Sequence, residues 1–91
     1  MPVEVAIPET LRRYSGNLAR LETVGGPLPT VLADLCRQHP ALGDRLLTAE
    51  GQLMAHLAVC LHGELVPRDA MPETLVQDGD LLELMFVASG G

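Results

Sequence analysis

The sequence ends in Gly90 and Gly91, and the α-carboxylate of Gly91 is the group on this chain best suited to chemistry. Glycine has no Cβ, so a Gly-Gly end can enter a narrow channel and adopt backbone conformations closed to other residues. The segment from Val87 to Gly91 can span up to about 17 Å when extended. Paired glycines also occur at loose chain ends. Because a predicted core strand immediately precedes them here, we expect an acid group presented to the active site of another protein.

The candidates for metal binding are three histidines and two cysteines: His39, His56, His62, Cys36 and Cys60. No pair among them has a C-x-x-C or H-x-x-x-H spacing, and two cysteines are too few for a four-cysteine cluster. We therefore predict no metal site. Ser15 and Ser89 lie in no recognisable nucleophile motif, and Gly25-Gly26 does not have the spacing of a phosphate-binding loop. We expect any phosphate to be bound by a partner.

The composition favours one acidic globular domain. The chain has 91 residues and a formal net charge of −6, and all six basic residues are arginine. Such a charge disfavours nucleic acid and anionic membranes, and a protein partner with a basic face would suit it better. The N-terminus does not resemble a signal peptide, and no apolar run approaches a membrane span. We expect a cytoplasmic protein with reduced thiols.

Hydrophobic periodicity predicts five strands and two helices. Alternating apolar residues predict strands at 3–7, 18–24, 56–61, 65–66 and 82–86. An i, i+3, i+4, i+7 stripe predicts a main helix from Leu28 to His39, with Thr30 as its N-cap, and Pro40 begins a short second helix. Segments 12–17, 48–55 and 67–72 are predicted to be irregular, and Asp78-Gly79-Asp80 a turn.

The order of these elements predicts the fold class. One amphipathic helix packed on a mixed sheet is a stable two-layer solution for a small α+β domain. The order fits a β-grasp, or ubiquitin-like, fold. We expect residues 1–86 to form this domain and residues 87–91 to form a flexible C-terminal Gly-Gly tail.

The chain resembles the ThiS/MoaD family of prokaryotic sulfur-carrier proteins. The match runs through most of the sequence and includes Asp78-Gly79-Asp80, one apolar strand, and the terminal Ser89-Gly90-Gly91. Further matching segments are Val5-Ala6-Ile7, the helix from Thr30 to Leu35, and the strand and turn from Leu57 to Glu64.

The resemblance implies a protein that is a co-substrate and not an enzyme. An E1-like adenylyltransferase would use ATP to convert the Gly91 carboxylate into an acyl adenylate, with Gly90 as its flexible neighbour. A sulfur donor would displace AMP, leaving a thiocarboxylate that a sulfur-accepting biosynthetic enzyme consumes. Phe86, Val87, Ala88 and Ser89 would contact these partners, and no cofactor would be bound by the carrier. Phe86 could instead pack on the sheet, or form an apolar docking patch with Leu84 and Val87, although we expect Leu84 itself to lie in the core.

The receiving pathway and the class of protein each have alternatives. The segment from Pro40 to Ala55 makes the chain longer than thiamin-type carriers and more similar to carriers serving cysteine or another thio-metabolite. A small subunit of molybdopterin synthase is the next candidate. A ubiquitin-like modifier joined through Gly91 would share the activation step, although this lysine-free chain could not build lysine-linked chains on itself. A β-grasp binding module with an inert tail is the third class.

Overall fold

A computed structural model describes residues 1–87. The strands are β1 (Val3–Ala6), β2 (Arg20–Thr23), β3 (Gly26–Pro27), β4 (Leu57–Leu61), β5 (Glu64–Leu65), β6 (Leu75–Val76) and β7 (Leu81–Phe86). The helices are α1 (Leu28–Gln38) and α2 (Pro40–Leu46), with 3₁₀ helices at Glu9–Tyr14 and Arg68–Glu73.

Five strands form the main sheet in the order β2-β1-β7-β4-β5. Strand β1 pairs antiparallel with β2 and parallel with β7, while β7 pairs antiparallel with β4. Strand β7 is therefore the central strand, although it is the last in the chain. The mixed sheet and the helix packed on it confirm the predicted α+β, β-grasp class.

Helix α1 forms because its apolar residues repeat at helical spacing. Leu28, Val31, Leu32 and Leu35 are all buried and face the sheet. The prediction that Thr30 is the N-cap was wrong: Thr30 lies inside the helix, and Pro27 precedes the first turn. Proline 29 occupies the first turn, where its missing N–H has no intrahelical partner to lose.

Two segments predicted to be irregular are 3₁₀ helices, and both lie beside prolines. Glu9–Tyr14 follows Pro8 and inserts Leu11 into the core. Arg68–Glu73 follows Pro67 and inserts Met71. Each has a single apolar anchor, so neither produces the repeating stripe from which a helix is predicted.

A two-stranded ribbon, β3 with β6, was also missed. Each strand is two residues long, which is too short for an alternation pattern. The ribbon is set by tertiary contact: the amide of Gly25 donates to Asp78 Oδ1 at 3.1 Å, and the amide of Leu28 donates to the carbonyl of Thr74 at 2.8 Å.

The core is aliphatic. Its fully buried side chains are Val3, Val5, Ile7, Leu28, Val31, Leu35, Leu42, Leu46, Leu57, Val59 and Leu82. Neither of the two aromatic residues, Tyr14 and Phe86, belongs to the buried set. Within residues 1–87, no helix is long and apolar enough to cross a membrane.

Candidate functional site

Strand β7, the last described element, lies in the middle of the sheet. Strand β7 is hydrogen-bonded on both sides, and Leu82 and Leu84 anchor it in the core. After Phe86 the amide of Val87 donates to the carbonyl of His56 at 3.0 Å, one residue before β4 begins. The point from which the chain continues into Ala88 is therefore fixed by the most constrained strand of the molecule.

Three consecutive apolar residues are exposed at this point, and we call Met85, Phe86 and Val87 the exit segment. Their exposed fractions are 36, 46 and 39%. Since side chains alternate along a strand, the exit segment presents apolar surface on both faces of the sheet. Such surface at a fixed chain exit suits contact with a protein that surrounds the continuing chain.

Phe86 is on the surface and is held by a neighbour. Its ring stacks on the imidazole of His56, with centroids 5.7 Å apart and an interplanar angle of 16°. The expectation that Leu84 lies in the core is confirmed, because Leu84 is only 4% exposed, so an apolar patch at this point contains Phe86 and Val87 without it. Phe86 and Val87, predicted to contact partners, are both accessible for contact.

Ala88, Ser89, Gly90 and Gly91 lie outside the described residues. The predicted roles of Gly91 and Gly90 as chemical residues, and of Ala88 and Ser89 in partner contact, remain predictions.

The outer face of the sheet continues this apolar surface from Met85 towards β5. Cys60 pairs with Leu65 in register, and Ala58 pairs with Met85, which places the four on one face. Leu65 is 58% exposed, and Cys60 Sγ lies 3.6 Å from Met85 Sδ. Cys60 was predicted on the face opposite Leu57 and Val59; it lies there and is nevertheless buried, covered by its strand neighbours.

The cysteines are free thiols and are not placed for nucleophilic chemistry. Burial, with a smaller contribution from the Asp44 carboxylate, raises the pKa of Cys36 from 9.0 to about 11. At pH 7 roughly one Cys36 thiol in ten thousand is then ionised. Since the thiolate is the reactive form, Cys36 is a poor nucleophile at neutral pH.

The Asp-Gly-Asp motif is structural. Asp78 accepts a hydrogen bond from the Gly25 amide, and Asp80 accepts one from the Gln77 amide at 2.8 Å. Asp80 also lies 3.0 Å from His62 Nε2, which ties the β4–β5 turn to the turn before β7. These contacts hold the turn from which β7 starts. Across the described residues, no three histidine, cysteine or acidic side chains are grouped to hold a metal ion.

Sequence reasoning missed Arg68. Its guanidinium donates to the carbonyls of Leu53, Met54 and Leu57, joining the second 3₁₀ helix to the segment that leads into β4. A lone arginine carries no spacing signal, and its acceptors are backbone atoms eleven to fifteen residues away. Arg68 supports the base of the exit segment, because Leu57 pairs with Phe86.

A cleft of about 280 Å³ lies between α1 and the second 3₁₀ helix. Its lining is mainly apolar, including Leu32, Leu53 and Met71, and its one charged group is Arg68. The donors of Arg68 are already bound to backbone carbonyls. The cleft therefore offers little polar chemistry with which to orient a small substrate.

The comparisons with known proteins agree with this geometry. The model of the ThiS family matches residues 5–91, which is nearly the whole chain and includes the terminal glycines.

The chain belongs to the ThiS family.

The fold is that of ubiquitin-like sulfur carriers of the ThiS/MoaD type. A chain in the crystal structure of the Amycolatopsis orientalis BexX/CysO complex is 29% identical, with a TM-score of 0.82 over 98% of this chain and 99% of that one. Mycobacterium tuberculosis CysO, described as an antigen, is 25% identical with a TM-score of 0.81 over 94 and 99%. Haloferax volcanii SAMP1, at 24% identity and a TM-score of 0.80 over the full length of both chains, shows the same fold. No curated protein matches the chain.

Proposed function

We propose that this ThiS-family chain carries sulfur on the carboxyl group of Gly91. The observation that carries the proposal is the fixed exit of β7: an apolar segment held at His56 leads directly into the four residues that end in Gly91. The family match extends through these residues and supports the same conclusion.

The chemistry requires activation, because a carboxylate is a poor electrophile while its oxygen is a poor leaving group. In the active site of an E1-like adenylyltransferase, a Gly91 carboxylate oxygen attacks ATP. This forms the acyl adenylate and releases pyrophosphate. A sulfur nucleophile at the oxidation level of sulfide, supplied by the donor, then attacks the acyl carbon, and AMP leaves with the former carboxylate oxygen. The product is a Gly91 thiocarboxylate, in which sulfur replaces one oxygen.

The chain itself contributes presentation and binding. A narrow, glycine-ended segment reaches an active site that the folded domain cannot enter, while the exit segment contacts the rim. Carriers of this type are substrates of partner enzymes, and one neighbour was crystallised in a complex with a separate protein. Burial raises the pKa of the Cys36 thiol to about 11, so Cys36 is a poor competitor with Gly91 for sulfur at neutral pH.

We favour a carrier that supplies sulfur for the synthesis of cysteine or another thio-metabolite. The segment from Pro40 to Ala55 is present as α2 and the loop that follows it. Both neighbours at 25% identity or more align over 99% of their own length, so their chains are of similar size. The small subunit of molybdopterin synthase is the alternative.

Deleting Gly91 tests the proposal. Wild-type protein isolated from its native host, or incubated with the activating enzyme, ATP and a sulfur donor, should show the mass of one oxygen-to-sulfur exchange at the C-terminal peptide. The deletion should abolish this exchange and leave the thermal midpoint unchanged, because end residues contribute little to folding. Leu75→Ala, at a position that is 65% exposed and lies outside the tail and the exit segment, is the control and should be loaded normally.

Other outcomes separate the remaining classes. Adducts joined through Gly91 to lysines of other proteins, without sulfur exchange, would identify a modifier. Full biological function after removal of Gly90 and Gly91 would identify a binding module and contradict the carrier.

A further inference from the structure

The arginines are concentrated at the end of the sheet where the chain exits. Strands β1 and β7 are parallel, with Ala6 beside Glu83. The first 3₁₀ helix follows β1, so it lies at the same end as Val87. At a spacing of about 4.8 Å between strands and about 3.3 Å per residue, the carbonyl of Ile7 is on the order of 10 Å from Val87.

Three arginines gather on this 3₁₀ helix and on α2, which packs against it. The Nε of Arg12 donates to the carbonyl of Ile7 at 3.0 Å. The guanidinium carbons of Arg45 and Arg13 lie 4.6 and 5.7 Å from the centroid of the Tyr14 ring. We call Arg12, Arg13 and Arg45 the arginine cluster.

These guanidiniums are not neutralised within the fold. In residues 1–87 the arginine–carboxylate pairs within 4.0 Å are Arg20 with Glu4 and Arg37 with Asp34, and neither involves the cluster. Glu9 lines the same depression as Arg12 and Arg13, and Asp44 precedes Arg45 in the sequence. No carboxylate of the described chain nevertheless pairs with the cluster.

The contacts of the cluster also hold it in place. Stacking on an aromatic ring and a hydrogen bond to a backbone carbonyl restrict long side chains that would otherwise be free. Less conformational entropy is then lost when the guanidiniums bind a partner. The opposite end of the sheet carries Asp78 and Asp80, in the turn that precedes β7. On a chain of net charge −6, the cluster therefore gathers three guanidiniums that have no carboxylate partner within residues 1–87.

We propose that the arginine cluster is a docking surface that binds an acidic protein surface, rich in aspartate and glutamate, at the rim of the site receiving the tail. This inference rests on the proposed function. The composition favoured a partner with a basic face, whereas the local charge beside the exit requires the reverse. Because screening limits the field to about 8 Å at physiological salt, charges near the exit outweigh the distant acidic turn at the interface. Arginine forms bidentate pairs with carboxylates, so the cluster also fixes orientation.

Charge reversal in the presence of the activating enzyme tests the proposal. The double variant Arg13→Glu/Arg45→Glu is compared with Arg37→Glu. Arg37 lies on α1 outside the cluster, is 74% exposed and pairs with Asp34. ATP–pyrophosphate exchange is measured as a function of carrier concentration at several salt concentrations. We expect the double variant to raise KM for the carrier about tenfold, with kcat little changed, and to flatten the salt dependence. Arg37→Glu should change KM less than about twofold.

Loss of folding is controlled with Arg13→Gln/Arg45→Gln, which removes charge without introducing repulsion and should give an intermediate KM. Circular dichroism melting is measured on every variant. Equal KM and equal salt dependence for the double variant and Arg37→Glu would overturn the proposal. Saturable binding of inorganic phosphate by the carrier alone, lost in the double variant, would also overturn it by assigning a small-anion site. Failure of the wild type to support exchange would contradict the proposed function instead.

Discussion

At the scale of single residues, the contacts between Val87, Phe86 and His56 fix the end of β7. The backbone of His56 accepts the amide of Val87, and its ring covers one face of Phe86. Arg68 donates to the carbonyls of Met54 and Leu57, on either side of His56 in the chain. Two side chains from separate segments, the His56 ring and the Arg68 guanidinium, thus support the end of β7. Together they fix the position at which β7 ends.

Cys36 gives a prediction about thiol reactivity. Because burial and Asp44 raise its pKa to about 11, Cys36 in the native protein should resist iodoacetamide at pH 7.5. Its labelling rate should increase about tenfold per pH unit up to about pH 11, following the thiolate fraction. Peptide mapping by mass spectrometry measures labelling at this residue. Rapid native-state labelling at pH 7.5, equal to that in urea, would contradict the assignment.

The same shift has a defined sign for stability. The folded thiol holds its proton more tightly than the unfolded one, whose pKa is 9.0. The associated stability is complete below about pH 9 and is lost as the pH rises through about 11. Urea midpoints at pH 8 and pH 10.5, compared with those of Cys36→Ala, measure this difference.

At the scale of elements, α1 and α2 approach each other closely at one glycine. A Cβ on Gly43 would lie 2.7 Å from the Cβ of Cys36, and 3.1 Å from its Cα. The contact sets the direction in which α2 leaves α1 and therefore carries Arg45 to Tyr14. The segment from Pro40 to Ala55 thus has a structural consequence: it supplies one third of the arginine cluster.

Gly43→Ala tests this close approach. Alanine at a helical position normally stabilises by up to about 1 kcal/mol over glycine. Here the clash with backbone and Cβ atoms should reverse the sign and destabilise by about 1–3 kcal/mol. Asp44→Ala, at an exposed position of the same helix, should stay within about 0.5 kcal/mol. Urea denaturation measures both, and a stabilised Gly43→Ala protein would show that the helices are further apart.

At the scale of the whole molecule, one aliphatic core carries both the sheet and the helices. Strand β7 crosses its centre, between β1 and β4, so the element that ends at the exit also holds the two halves of the sheet together. Folding of this core therefore also fixes the position at which β7 ends. The charged residues are distributed unevenly, with the arginine cluster at the end of the sheet where β7 ends and the acidic turn at the end where β7 begins.

Leu82→Ala tests the central role of β7. Leu82 is fully buried, and its truncation should cost about 3 kcal/mol through lost burial and a cavity. A domain of this size is stable by only about 5–10 kcal/mol, so the midpoint should fall strongly. Leu75→Ala removes the same atoms at a position that is 65% exposed and serves as the control. Similar melting of the two variants would contradict a single core centred on β7.

The sequence predicted the parts of this protein that have their own periodicity. The stripe from Leu28 to Leu35 predicted α1, and the alternation of Val3, Val5 and Ile7 predicted β1, because helices and strands repeat with different periods. The family resemblance, quoted from the Asp-Gly-Asp turn and the glycine end, was confirmed over residues 5–91.

Only the tertiary structure decided which residues lie together at the exit. His56 meets Phe86, Arg68 meets the approach to β4, and Arg45 meets Tyr14 across sequence separations that no local pattern encodes. The parallel pairing of β1 with β7 decides that the arginines and the exit share one end. Side-chain type and spacing are local properties of the chain, whereas these neighbours are set by which strands pair and which helices cross, and both depend on burial of the whole core.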